Sequence, residues 1–395
     1  MSPTRFDVIV VGGGPGGSSA ARQLAGAGLS VVLLDKARFP REKLCGGLIS
    51  ERSAKLLDRI FSDSIAPTYE HVSTGARVFF DGEPISRISD HKTLRLTMRR
   101  TFDHELLESA RASGVHVREA VAVTTVASDR ASVTLDNGDI LHADFIIGAD
   151  GAASRVRKSV LPTAMNKHGF ATGVEIEIPR AQLRRECSDP EIYLGCVRWG
   201  YGWIFPKRDT VTVGIAGLAQ KNHDIRGACR TFMQRVLGFV PNQKLPGYPI
   251  PFGNHLKEPG VGNVLLVGDA AGFAEPITGE GIAFAMQSAC YAADAILEAR
   301  HAANPKAAAK SYATRCKPLI QLFDDACLMR FLTFSKPTER YFVKLLQSSN
   351  SAAKRYMDIV AAESDYREYV RFLAKTAFLR FPKMVSTLLA GRSIH

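Results

Sequence analysis

An apolar run, Phe6-Asp7-Val8-Ile9-Val10-Val11, leads into Gly12-Gly13-Gly14-Pro15-Gly16-Gly17, and an Ala-rich stretch from Ser18 to Ala27 follows. No other feature limits the fold as tightly. A near-continuous apolar strand suits a parallel sheet covered on both faces. In the spacing Gly12-x-Gly14-x-x-Gly17 the first glycine permits a tight turn, the second lets a pyrophosphate approach the backbone, and the third lets helix and strand pack closely. The pyrophosphate then rests on the helix N-terminus, where free N–H groups and the macrodipole favour an anion. Leu29 to Leu34 reads as a second buried strand, so strand, turn, helix and strand form a βαβ unit. Asp35 ends that strand, where a carboxylate can accept from ribose hydroxyls.

NAD and FAD share this fingerprint, and two further strand ends separate them. Ile146-Ile147-Gly148-Ala149-Asp150-Gly151 ends in Asp-Gly, and Val264-Leu265-Leu266-Val267-Gly268-Asp269 ends in Gly-Asp before a glycine-rich loop and a helix. Two more carboxylates at the crevice suit a long ligand with many hydroxyls. The ribityl chain of FAD has them and NAD does not, so the expected cofactor is non-covalent FAD. No second dinucleotide fingerprint is present, which leaves the electron donor open between transient NAD(P)H and a one-electron donor protein such as ferredoxin.

These segments resemble the flavoprotein group of aromatic hydroxylases, flavin halogenases and geranylgeranyl reductases. Three features are similar to the geranylgeranyl reductase family within it. Lys43-Leu44-Cys45-Gly46-Gly47 matches K-x-C-G-G, Tyr201-Gly202-Trp203-Ile204-Phe205-Pro206 matches Y-x-W-x-F-P, and Gly272 follows Gly268-Asp269-Ala270-Ala271. The resemblance implies a Rossmann-like FAD domain with an inserted β-sheet substrate domain. It implies cofactor contacts from Gly12, Gly14, Pro15, Gly16 and Gly17, from Asp35 and Lys36, from Cys45, Gly46 and Gly47, and from Arg99, Asp150, Gly268 and Asp269. The loop Pro276-Ile277-Thr278-Gly279-Glu280-Gly281 would pass the isoalloxazine ring, with Ile282 opening the next helix. A helix N-terminus there stabilises a reduced, anionic flavin. Cys45, Tyr201 and Trp203 are the candidate catalytic residues: a thiol for proton delivery, or a small residue beside two glycines, and an aromatic wall for a prenyl channel, or core packing.

The expected fold is α/β, with the FAD domain discontinuous over 1–70, 97–160 and 262–300. The substrate domain takes 71–96 and 161–261, and 301–395 is a helical C-terminal region. Thr172 to Ile178 alternates in period two, which predicts an antiparallel strand with one wet face; segments 72–80 and 211–216 are read likewise, and a helix is placed from near Phe102 to Ala112.

The chain of 395 residues carries seven cysteines, an odd number with no C-x-x-C, which argues against a zinc ribbon, an iron–sulfur cluster or a disulfide framework, and no metal is expected. No apolar run is long enough for a membrane span, and the N-terminus has no signal-peptide pattern. The cytosol is the expected location. The net charge of +12 admits nucleic acid, anionic membrane or acidic substrates as partners; with an FAD fingerprint, nucleic acid is not expected. After Glu368, Arg371, Lys375, Arg380, Lys383 and Arg392 alternate with Phe372, Leu373, Phe378, Leu379, Phe381 and Leu388. Such a tail either packs its apolar face on the body or lies on anionic lipid, making the enzyme peripheral to the membrane.

The expected activity is reduction of carbon–carbon double bonds in a prenyl chain, carried on a lipid or a diphosphate, by hydride from reduced flavin. The alternatives are a flavin monooxygenase or halogenase, distinguished by oxygen demand, and a non-catalytic redox-sensing or lipid-carrying flavoprotein.

Overall fold

The period-two and near-continuous apolar segments sort into different sheets. A computed structural model describes residues 4–62, 65, 69–127, 131–163, 165–348 and 350–375. Strand β1 (Arg5–Val11) lies at the centre of an eight-stranded sheet, parallel to β2 (Val31–Asp35) on one side and to Ile140–Gly148 on the other. Helix α1 (Pro15–Gly26) crosses between β1 and β2. His116–Glu119 and Val264–Leu266 extend the parallel order outward. Val8 to Val10 and Val31 to Leu34 have no exposed surface, which is why these strands carry apolar side chains on both faces.

The second sheet has seven strands, drawn from 76–88 and 171–250. Ala171–Pro179, Thr210–Leu218 and Gly200–Pro206 pair antiparallel at its centre. Segment 72–80 is not one strand. His71–Ser73 joins a separate three-stranded sheet with Leu48–Ile49 and Leu94–Leu96, and Ala76–Phe80 joins the seven-stranded one. Gly75 marks the change of sheet, where a Cβ would lie 2.5 Å from the Ile88 carbonyl oxygen. The helix placed near Phe102 starts earlier, at Arg99, and runs to Ala112.

The wet face expected on Thr172–Ile178 is wet only at its end. Val174, Ile176 and Ile178 pack under helix Ile225–Leu237, while Gly173 and Glu175 face an internal cavity, where Glu175 is buried, and Glu177 stays partly exposed. Period two reports two different surroundings, and a cavity wall can be one of them.

Helices Ala308–Phe334, Lys336–Ser348 and Asn350–Val360 follow the long helix Ile282–His301. They pack on the seven-stranded sheet through Met329, Phe334, Phe342, Leu346 and Ile359 against Ile85, Ile88 and Leu194. Residues 366–375 are helical. Tyr366, Tyr369 and Leu373 are buried in the same cluster, with Arg371 and Lys375 exposed. The remaining basic residues of the tail, Arg380, Lys383 and Arg392, lie outside the described residues. Among the described residues no helix is long and apolar enough to cross a membrane.

Candidate active site

A cavity of about 1290 Å³ runs from the glycine turn to the C-terminal helices. That volume exceeds the roughly 300–1,000 Å³ of an ordinary small-molecule pocket, and its two ends differ in chemistry.

Gly12, Gly14, Pro15 and Gly16 line the first end. Gly12 adopts φ +106°, and a Cβ there would lie 2.4 Å from the Ala149 carbonyl oxygen, so the turn requires glycine. Gly17 does not line the cavity; a Cβ on it would lie 1.8 Å from the Gly12 carbonyl oxygen, which identifies it as the close-packing glycine. No side chain caps α1 at Gly14, so its first amides remain open to a ligand. Beside them stands Arg41, whose role its sequence position did not reveal. Its guanidinium lies 4.5 Å from the centre of the Phe39 ring, Nη2 is 3.2 Å from Asp103 Oδ2, and Nη1 is buried without a partner. Open helix amides next to an unpartnered buried guanidinium fit the pyrophosphate of FAD.

Asp35 and Lys36 line the same end, and Asp35 accepts from the backbone N–H groups of Gly13 at 2.7 Å and Ala37 at 2.8 Å. Asp150 also lines it, but its carboxylate accepts from the Ser154 hydroxyl at 2.5 Å and the Arg155 amide at 2.6 Å. It therefore caps helix Arg155–Val160 as well as facing the cavity. Asp269 follows Gly268, at φ +56°, and both line the cavity. Burial pushes the Asp269 pKa up, against Lys43, Arg99 and Arg157. Gly281 caps helix Ile282–His301 with no side-chain hydrogen bond, and Gly279, Gly281 and Ile282 line the cavity while Pro276 does not.

Of the two adjacent arginines, Arg99 lines the cavity and Arg100 does not. Arg99 donates to Asp103 through Nε at 2.7 Å and Nη2 at 2.8 Å. Burial opposes its charge, but the Asp103 carboxylate and Cys45 together outweigh burial and hold the arginine pKa above its ordinary value. Lys43 Nζ sits 3.3 Å from the centre of the Tyr248 ring, and burial, then Arg99, lower its pKa to about 8.

The two short motifs meet in space. A Cβ on Gly46 would lie 2.6 Å from the Phe205 ring and 3.4 Å from Trp203 Nε1. Gly47, at φ +75°, leaves room for the Thr97 carbonyl oxygen, which a Cβ would approach to 2.0 Å. The glycines after Cys45 are thus fixed by packing, and Cys45, Gly46 and Gly47 all line the cavity. Trp203 is both buried and part of the wall, so core packing and wall coincide in one residue. The Tyr201 hydroxyl donates to the Thr278 carbonyl oxygen, tying the substrate sheet to the loop 276–281.

Beyond Trp203 the cavity is apolar. Val78, Ile192 and Leu194 form one side, and Phe342, Leu346 and Met357 of the C-terminal helices form the other. That helical contribution has no signal in a short motif.

A family model described as an FAD binding domain matches residues 5–196. The chain is 32% identical to geranylgeranyl diphosphate reductase of Rhodobacter capsulatus, over 74% of this chain and 75% of that one. The chain belongs to the geranylgeranyl reductase family of FAD-dependent oxidoreductases. Menaquinone reductase of Mycolicibacterium smegmatis is another relative of this family member, 31% identical over 74% of this chain and 76% of that one. A geranylgeranyl bacteriochlorophyll reductase-like protein from Thermoplasma acidophilum shares the reductase fold, with a TM-score of 0.79 and 22% identity over 94% of this chain and 99% of that one.

Proposed function

We propose that this reductase saturates double bonds in the prenyl chain of a lipid, quinone or diphosphate. The observation that carries the reading is the continuity of the cofactor end with the apolar end, with Trp203 between them. Reduced FAD supplies a hydride when bound. Gly12, Gly14, the α1 amides, Arg41 and Asp269 would hold it, and Lys36, Asp35 and Arg99 complete its surroundings. An isolated alkene has no carbonyl to accept charge, so its position against the hydride donor and the exclusion of water decide the rate. Trp203 and Tyr201 orient the chain at the junction; Val78, Leu194, Phe342 and Met357 bury it. Relatives named for geranylgeranyl diphosphate and for menaquinone act on molecules that share an isoprenoid chain, in keeping with an apolar channel.

A substrate of this kind resides in or near a bilayer. Exposed Arg371 and Lys375, with exposed Leu328, Phe331 and Tyr341, would face anionic lipid from the C-terminal side. Tyr366, Tyr369 and Leu373 pack on the body while Val370 stays exposed, so the basic side chains and Val370 would make this contact. Electrons would reach the flavin from NAD(P)H or a ferredoxin-like donor.

The test is anaerobic incubation of the dithionite-reduced holoenzyme with geranylgeranyl diphosphate, followed by mass spectrometry. Two added hydrogens per reduced bond are expected; a hydroxylated product formed only with oxygen overturns the reading.

A further inference from the structure

Strand Ala171–Pro179 turns Ala171, Gly173 and Glu175 toward the cavity. Glu175 is an ionisable group on a wall of small and apolar side chains, and 6% of it is exposed. Its Oε2 has no hydrogen-bond partner. The neighbouring strand makes space for it with Gly214, where a Cβ would lie 2.5 Å from the Glu175 Cβ and 2.6 Å from the Trp203 ring. The Cys45 backbone lies close enough to the carboxyl to favour its charged form slightly. Glu175 thus lies where the two short motifs and the substrate sheet converge.

The titratable groups that act on it most strongly sit on several elements. Lys43 and Cys45 face it from the segment before Gly46, Tyr201 from strand Gly200–Pro206, Lys207 from the turn after that strand, and Glu177 from its own strand. Cys229 lies behind the sheet. Burial pushes the carboxyl up, Lys207 and Lys43 pull it down, Glu177 pushes it up, and the balance holds it at about 7. A buried carboxyl of this kind is a proton-carrying acid at neutral pH.

We propose that Glu175 is the proton donor of the reduction, an assignment that rests on the prenyl-reductase reading above. Its O–H bond breaks as a C–H bond forms at one alkene carbon, and the hydride from reduced FAD forms the C–H bond at the other. The π bond is lost, the substrate gains two electrons, FAD gives up two, and Glu175 is left as a carboxylate. Water returns the proton through the neighbouring pair, in which Lys207 Nζ lies 2.7 Å from Glu177 Oε1 and Glu177 is 33% exposed. Two other polar groups at the junction are committed elsewhere: the Tyr201 hydroxyl proton is given to Thr278, and the Lys43 ammonium faces the Tyr248 ring.

The experiment compares wild-type, Glu175→Gln and Glu175→Asp holoenzymes in anaerobic single turnover with geranylgeranyl diphosphate across pH. Glu175→Gln should retain FAD and its reduction by dithionite, yet slow substrate reduction by about 100-fold or more. The wild-type rate should fall as pH rises through about 7; the residual Glu175→Gln rate should not, and Glu175→Asp should recover part of both. A Glu175→Gln enzyme with the wild-type rate and pH profile overturns the assignment and leaves the reductase reading standing. Loss of FAD from Glu175→Gln also overturns it, by making the residue structural. A wild-type enzyme that reduces neither prenyl diphosphate nor prenyl quinone overturns both.

Discussion

Replacing Glu175 by glutamine should change how the stability of the protein depends on pH, whatever the substrate. Burial raises the carboxyl from an ordinary 4.5 to about 7 in the folded chain. An acid with a raised folded pKa binds more protons folded than unfolded between these two values, so the folded state loses stability as pH rises through that window. Below about 4.5 both states are protonated and the group contributes nothing; above about 7 the full penalty is present and constant. The difference of about 2.5 units corresponds to a penalty of about 3 kcal/mol at pH 8. Glutamine fills nearly the same volume and never ionises. Equilibrium urea unfolding of the two FAD-loaded proteins at pH 5 and pH 8 measures the effect. The variant should gain on wild type by about 2 kcal/mol between those pH values, because part of the window lies below pH 5. Parallel pH dependences for the two proteins would refute the reasoning and show that Glu175 reaches water.

Three further substitutions test other parts of the site. Gly46→Ala should destabilise the protein by about 1–3 kcal/mol, because its Cβ overpacks against Phe205; a thermal unfolding midpoint equal to wild type contradicts the packing of the two motifs. Asp269→Ala removes a charge-assisted hydrogen bond of about 1.5–3 kcal/mol, so FAD should bind roughly tenfold to a hundredfold more weakly in a fluorescence titration; unchanged affinity places the ribityl chain elsewhere. Neutralising Arg371, Lys375, Arg380 and Lys383 together removes about 1 kcal/mol each of attraction to anionic liposomes. Co-sedimentation should fall in the variant and, in wild type, with added salt; unchanged binding rules out these side chains as the membrane contact.

The nucleotide-binding half was legible because its chemistry is local. Gly12 to Gly17, Asp35 and Gly268-Asp269 are each contiguous, and the strands that carry them are apolar on both faces, a pattern visible without tertiary context. Arg41 and Lys43 were not recognised, because their roles depend on Asp103, Tyr248 and open helix amides that come together only in the fold. Gly46 is read from its motif as a cofactor contact, but its packing partner Phe205 is remote in sequence and shows only in the fold. Glu175 was concealed by its own regularity. An alternating strand reads as half-solvated, and only the C-terminal helices, the neighbouring sheet and the cofactor loop together turn that polar face into an interior wall. Phe342, Leu346 and Met357 line the apolar end from amphipathic helices with no motif of their own, so their periodicity announces burial without saying against what.

The central claim is that electrons pass from the flavin to a prenyl double bond. It is tested most directly by reducing the holoenzyme without oxygen, removing excess reductant, and adding a prenyl substrate while following the flavin absorbance. The oxidised spectrum should return as the substrate loses one double bond per flavin. A spectrum that stays reduced with each prenyl diphosphate, quinone and lipid, and returns only when oxygen enters, would contradict the account.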